Sequence, residues 1–267
     1  MTVKYKTKGF IFKKSDTGES DSFFSVFTKD FGKLYLKAKA IRKITSKLRP
    51  DVDMFCLSEI EFIQGKNSKT LTDAQLLEKF ENLTQDLEKF RIANKIGEVL
   101  DNFIKGEEKD EAIFSLINGT FTKLNNYTSF EPEGPQSLNG LNPKLYTLIY
   151  YYFLWNFLYL LGYKPEVNKC NTCHEKLTPY NVYFSNKSGG IICGSCANVK
   201  KTEGPEGVPP GSRRINSDIV KILRLVLKKN WLVISKLKIE QNSQRLFQEI
   251  SDNYCLYTLS SHSFNNI

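Results

Sequence analysis

The chain has 267 residues, of which 40% are hydrophobic, 13% aromatic and 25% charged. That balance excludes a mostly disordered or fibrous polymer, and at this length folding buries roughly 73% of the unfolded surface, so one or two ordinary domains need no staples. The net charge of +9 is unevenly spread: residues 1–50 hold 13 Lys/Arg against 4 Asp/Glu, residues 51–133 hold 9 against 17, and residues 134–267 hold 16 against 8. A basic block of this size suits a polyanionic partner, because lysines that neutralise phosphates release condensed counterions; a solvated surface would show the same excess.

In chain order, short runs rich in Phe, Val, Ile and Tyr predict strands at 9–14, 21–28, 32–40 and 54–63, separated by turn-forming stretches such as Ser15-Asp16-Thr17-Gly18 and Lys29-Asp30-Phe31-Gly32. Four or five strands so closely spaced suggest a small barrel. At Thr72 the period changes: Thr72-Asp73-Ala74-Gln75 has the form of a capping box, and Leu76, Leu77, Phe80, Leu83, Leu87 and Phe90 follow at helical spacing. The expectation is an α+β chain, with a β-domain at 1–71 and a helical domain at 72–267. Further helices are expected at 111–124, at 143–161 between Asn142 as cap and Gly162 as stop, and at 218–229 after Ser217. The stretches 125–143 and 198–211, rich in Gly, Pro, Asn and Ser, read as loops.

The apolar run Leu145–Leu161 includes Thr147, Asn156 and five tyrosines. It falls short of the ~20 apolar residues of a bilayer span and predicts a buried helix, with no membrane partner. No charged segment followed by an apolar core and a small-residue cleavage site opens the chain, so a reducing cytoplasm is expected.

The sharpest chemical signal is Cys170-Asn171-Thr172-Cys173, followed after nineteen residues by Cys193-Gly194-Ser195-Cys196. Two close pairs of thiolates brought together by a hairpin-like stretch predict a tetrahedral four-sulfur site for one Zn²⁺ ion. Four thiolates leave no open position for water, which points to a structural ion. His174 reads as solvent-facing, Gly189-Gly190 as a tight turn, and Cys56 and Cys255 as small core residues, since neither has a histidine nearby in sequence.

A second signal is the stretch Gly32–Ala40. Strand alternation puts Lys33, Tyr35, Lys37 and Lys39 on one face, with Leu34, Leu36, Ala38 and Ala40 on the other. Cations recurring every ~6.6–6.8 Å around an aromatic match the composition of a groove that tracks a single strand, and Arg42, Lys43, Lys47 and Arg49 continue the charge into the next loop. A half-buried strand with a lysine-rich solvent side is the alternative. The phenylalanines at 10, 12, 23, 24 and 27 read mostly as core.

No phosphate-binding glycine loop and no dinucleotide fingerprint occurs, and the two histidines, His174 and His262, belong to no recognisable triad or metal-hydrolase motif. No catalytic residue is therefore assigned. The carboxylates gathered in 73–111 read as surface solvation.

The order of these features resembles the RecO family of bacterial recombination and repair mediators. The resemblance is carried by Gly9-Phe10-Ile11-Phe12, Gly18-Glu19, Phe27-Thr28 with Phe31-Gly32-Lys33-Leu34, and Lys37-Ala38-Lys39 leading to Arg42. It continues through Phe157–Leu161, Gly162-Tyr163 with Pro165, Phe184, Gly189-Gly190 and both cysteine pairs. Where that family tends to have glycine after the Ala-Lys of the third strand, this chain has Ala40. The resemblance implies a five-stranded OB-fold barrel followed by a helical domain with a four-cysteine zinc-ribbon-like insertion at about 165–200. It further implies a non-enzymatic, cytoplasmic and nucleoid-associated protein that binds single- and double-stranded DNA and anneals complementary strands. Its implied partners are RecR and the acidic C-terminal tail of single-strand-binding protein, and its implied task is to help load recombinase. Lys144 and Lys164, flanking the aromatic helix, are candidates for the tail. Two other readings share parts of this pattern: a zinc-ribbon nucleic-acid-processing enzyme and an OB-fold RNA-binding factor of the translation machinery.

Overall fold

Alternating burial makes the first sheet. In the computed structural model, which describes residues 3–127, 143–178, 180–199 and 211–264, β1 (Lys4–Thr17), β2 (Asp21–Thr28), β3 (Gly32–Ala38), β4 (Cys56–Gln64) and β5 (Lys69–Lys79) close into a barrel in the order β1-β2-β3-β5-β4. β4 returns antiparallel to β1, and β3 meets β5 in parallel, which is the OB-fold arrangement. Inward residues Ile11, Phe24, Val26, Leu34, Leu36, Ile60 and Phe62 fill the core, joined by Ile41 and Val52 from the loop after β3. β1 begins at Lys4, earlier than expected: Tyr5, Thr7 and Gly9 turn inward while Lys4 and Lys6 turn out to Glu61 (2.8 Å) and Glu59 (2.7 Å) on β4.

The helix expected from Thr72 is instead the fifth barrel strand, which carries the sheet past residue 71 to Lys79. It pairs with β4 along nearly its whole length, with register shifts at Leu57/Ser58 and Glu61/Phe62. Helical structure starts with the short α1 (Glu81–Gln85), followed by α2 (Leu87–Phe103) and α3 (Glu111–Asn126). Two carboxylates that read as solvating are their caps: Asp86 accepts from the N–H groups of Glu88 and Lys89, and Asp110 from that of Ile113. α2 and α3 cover the outer side of β1. Phe10 packs on Phe121 (4.2 Å between ring centres), and a Cβ on Gly97 would lie 2.8 Å from the Phe12 carbonyl oxygen.

The chain divides into two compact units, Met1–Tyr150 and Tyr151–Ile267. α4 (Pro143–Leu160) ends before Gly162, whose φ of +91° suits the expected stop; Asn142 lies outside the described residues. As a helix apolar all round it is almost wholly buried, and in the second unit Trp155 donates to Ser251 Oγ (2.9 Å) and stacks on Tyr254. Among the described residues no helix is long and apolar enough to cross a membrane. There follow β6 (Val182–Ser185), β7 (Gly190–Cys193), α5 (Gly194–Val199), β8 (Ser212–Ile215), α6 (Ser217–Leu227), α7 (Trp231–Ile234) and α8 (Gln241–Phe264), with β7-β6-β8 forming a small antiparallel sheet. The α6 cap is Asn216. Most of the two expected loops, 125–143 and 198–211, falls outside the described residues.

Candidate nucleic-acid interface and candidate metal centre

β3 alternates as its sequence demands: Leu34, Leu36 and Ala38 are buried, while Tyr35, 53% exposed, stands on the outer face with Lys37 and Lys39. The register adds a residue that sequence reasoning left in the core. Phe23 on β2 lies directly opposite Lys37 on β3, and its ring stacks on Tyr35 with centroids 4.8 Å apart and planes within 2°. The adjacent Phe23-Phe24 pair hides the alternation, with Phe24 pointing inward; the cross-strand partner Lys37 is the signal that resolves it. Lys37 pairs with Asp21 (3.0 Å) and lies 5.9 Å from the Phe23 ring centre, and Tyr35 Oη meets Ser15 Oγ at 3.4 Å. The result is a flat, half-exposed aromatic surface edged by cations.

The loop after β3 is pinned. Ala40 adopts φ +52° and donates its N–H to Asp21 Oδ1 (2.8 Å), so an alanine fills the left-handed position that glycine would suit. Arg42 donates its N–H to Ser20 O (3.0 Å) and sits 3.7 Å from Asp16. Among the described residues no ion pair holds Lys39, Lys43, Lys47 or Arg49, and all four are exposed.

Lys33 is placed differently. Its ammonium pairs with Asp101 (2.6 Å) and donates to the carbonyls of Asp101 and Ile104 (2.9 Å each) at the C-terminus of α2, and its side chain is only 15% exposed. A cation there satisfies helix-end carbonyls and ties helix to barrel. Lys33→Ala is expected to cost about 2 kcal/mol, seen as a Tm lower by roughly 4–8 °C, while oligonucleotide affinity stays within about twofold. Partial burial pushes the Asp101 carboxyl up, but Lys13 and Lys33 together hold it below the ordinary aspartate value of about 3.9. Its contribution to stability is therefore complete above that value and fades as pH falls through the lower folded one. Acid unfolding of wild type and Asp101→Asn should converge in that window and diverge above it.

In the second unit the chain makes two knuckles. Cys170 sits in a turn closed by His174 N–H to Cys170 O (2.9 Å), and Cys193 and Cys196 flank the start of α5. A Cβ on Gly190 would lie 2.5 Å from the Glu166 carbonyl oxygen, so only glycine lets β7 approach the segment that leads to the first knuckle. All four sulfurs lie within 4.8 Å of one another, with Cys173 and Cys193 at 3.8 Å. Bonds of about 2.3 Å in a tetrahedron put sulfurs roughly 3.8 Å apart, so the group fits a metal ion. Burial acts to raise the Cys170 thiol, yet the N–H groups of Cys173, Cys193 and Thr172 bring it down to about 6; Cys196, crowded by burial and the other sulfurs, is pushed up to about 12. Three amides aimed at one sulfur prepare it as an anion. His174 is exposed and is not one of the four-residue group. Cys56 lies in the barrel core, and burial pushes the Cys255 thiol up to about 11.

Lys164 lines a cavity of about 330 Å³ with Tyr159, Arg224, Leu227 and Lys228, its ammonium 5.1 Å from the Tyr159 ring centre. The Lys144 and His262 side chains lie outside the described residues.

Comparison with known families matches residues 1–80 to the family described as "Recombination protein O N terminal" and residues 84–265 to "Recombination protein O C terminal". The chain is 33% identical over 237 residues to a DNA repair protein RecO of Dehalococcoides mccartyi, covering 89% of this chain and 83% of that one. It is 27% identical over 263 residues to the protein of the same name from Alkaliphilus metalliredigens, covering 98% and 96% of the two.

Proposed function

This chain belongs to the RecO family of DNA repair proteins, and from that premise we propose that it works as a recombination mediator without turnover of its own. It binds single- and double-stranded DNA, anneals complementary strands and, with RecR, helps load recombinase onto DNA coated by single-strand-binding protein, in the cytoplasm and at the nucleoid.

The observation that carries this reading is the outer face of β2 and β3, where the Phe23–Tyr35 stack stands among Lys37, Lys39 and the exposed Lys43, Lys47 and Arg49 of the following loop. In OB folds that face receives oligonucleotides, with bases on aromatic rings and phosphates on cations. Binding of this kind is sequence-tolerant and reversible, which annealing needs: charge on two polyanions must be neutralised so that they approach, and the product must leave. Zinc at Cys170, Cys173, Cys193 and Cys196 holds the insertion together and leaves no site for water. The cavity of Tyr159, Lys164, Arg224 and Lys228 offers cations and apolar surface to an acidic tail with an apolar end.

The test is pairing of complementary labelled strands coated with single-strand-binding protein. The full-length protein should speed pairing, and Lys164→Ala with Arg224→Ala should abolish that gain on coated strands while sparing bare ones. No acceleration on bare strands would overturn the reading.

A further inference from the structure

Beyond the barrel face, the loop between β3 and β4 builds a groove of its own. It measures about 470 Å³ and is lined by Ile44, Arg49, Met54 and, across from them, Leu76, Lys79 and Phe80 at the end of β5 and the start of α1. The loop is fixed from several sides. Ile41 and Val52 are buried in the barrel core, Asp51 Oδ1 accepts from Leu76 N–H (3.0 Å), and Ser58 Oγ donates to Asp51 O (2.6 Å). Phe55, at φ +58°, donates its N–H to Ile11 O (2.8 Å). On this rigid support Ile44 is 92% exposed, the most exposed large hydrophobic residue among those described. It stands in a tight turn where Lys43 N–H bonds Ala40 O (3.1 Å) and Ser46 N–H bonds Lys43 O (3.0 Å).

The charge around it is mainly positive. Arg42 and Lys43 precede Ile44, Lys47 and Arg49 follow it, and Lys79 stands on the far wall, where it pairs loosely with the exposed Glu81 (3.7 Å). Asp53, the acidic residue on the rim, is turned to its own backbone, accepting from Met54 N–H (2.8 Å). An apolar side chain held out among cations, beside a groove lined in part by Met54 and Leu76, suits a flat ring on an anionic chain, and apolar residues of this kind wedge between bases.

We propose that this groove takes a single unstacked base of a bound DNA strand, with Ile44 as the wedge that parts it from its neighbour and Arg49 and Lys79 at the flanking phosphates. The inference rests on the reading of the barrel as a DNA-binding domain. It extends the bound strand around the end of β3, because Lys39 and Arg42 lead from the Tyr35 face to Ile44.

The test uses the full-length protein and single-stranded oligonucleotides carrying 2-aminopurine at successive positions, whose emission rises when the base leaves the stack. Wild type should give a rise confined to one position of the bound register. Ile44→Ser, harmless to folding at so exposed a site, should abolish the rise and weaken affinity by roughly fivefold, and Ile44→Leu should retain both. Unchanged emission and affinity in Ile44→Ser overturn the wedge. Lys37→Ala with Lys39→Ala, measured alongside, keeps the two readings apart. If that variant weakens binding while Ile44→Ser does not, the groove alone fails; if it binds like wild type while Ile44→Ser loses the rise, the barrel face fails and the groove stands.

Discussion

Cys170→Ser is expected to release the metal and to lower the Tm of the second unit by roughly 15 °C, from a loss of about 4 kcal/mol or more. The size follows from what the four sulfurs do unaided. Four sulfurs within 4.8 Å of one another repel as thiolates, and burial and the other sulfurs push the Cys196 thiol up, so a divalent cation is what favours their joint ionisation. The small sheet around it is thin: the apolar residues packed with Cys170 are Tyr183, Ile192, Ala197 and Leu177. A cluster that small supplies little burial, and the ion must do the rest. Metal content by mass spectrometry under native conditions and thermal unfolding should fall together in Cys170→Ser and Cys193→Ser. Cys255→Ser and His174→Ala should leave metal content at wild-type level. Full stability of metal-stripped protein would remove the structural role.

The second large effect concerns the barrel face. Tyr35→Ala should weaken single-strand binding by about 1–3 kcal/mol, roughly 5- to 150-fold in Kd, whatever the sequence of the oligonucleotide. Replacing Lys37, Lys39, Lys43 and Lys47 together with Ala should reduce the magnitude of the log–log salt slope on single strands by about 3, since each phosphate contact contributes about 0.7. The two perturbations separate stacking from charge: Tyr35→Ala should leave the slope alone. Fluorescence polarisation across a salt series checks both, and an unchanged slope in the fourfold variant would falsify the assignment of those lysines.

Much of this was legible in the residues. β2 runs over the expected 21–28, and the Cys-x-x-Cys pairs meet as their spacing requires, because a short loop with fixed offsets leaves a chain few ways to place its sulfurs. β5 was not legible, for a reason visible in its pairing. Leu71, Ala74 and Leu76 face the barrel, but the register shift at Glu61/Phe62 spaces the first two by three residues instead of two. A bulge of that kind turns a period of two into something close to a helical one, and Thr72–Gln75 then imitates a capping box. Lys33 carries a different lesson: alternation gives the face of a side chain but not what covers that face further along. The outer surface of β3 is open at Tyr35 and Lys37 and occupied by the end of α2 at Lys33.

The barrel is a ring with one short seam. β4 and β5 share nine register pairs, whereas β3 and β5 share two, Leu36 with Lys69 and Lys37 with Thr70. Fraying of the ring should begin where so few bonds hold it, so amide protons near this junction should swap for deuterium ahead of those in the other four ladders. Because Lys37 belongs both to the seam and to the cationic face, an occupied face would clamp the ring shut and slow that exchange.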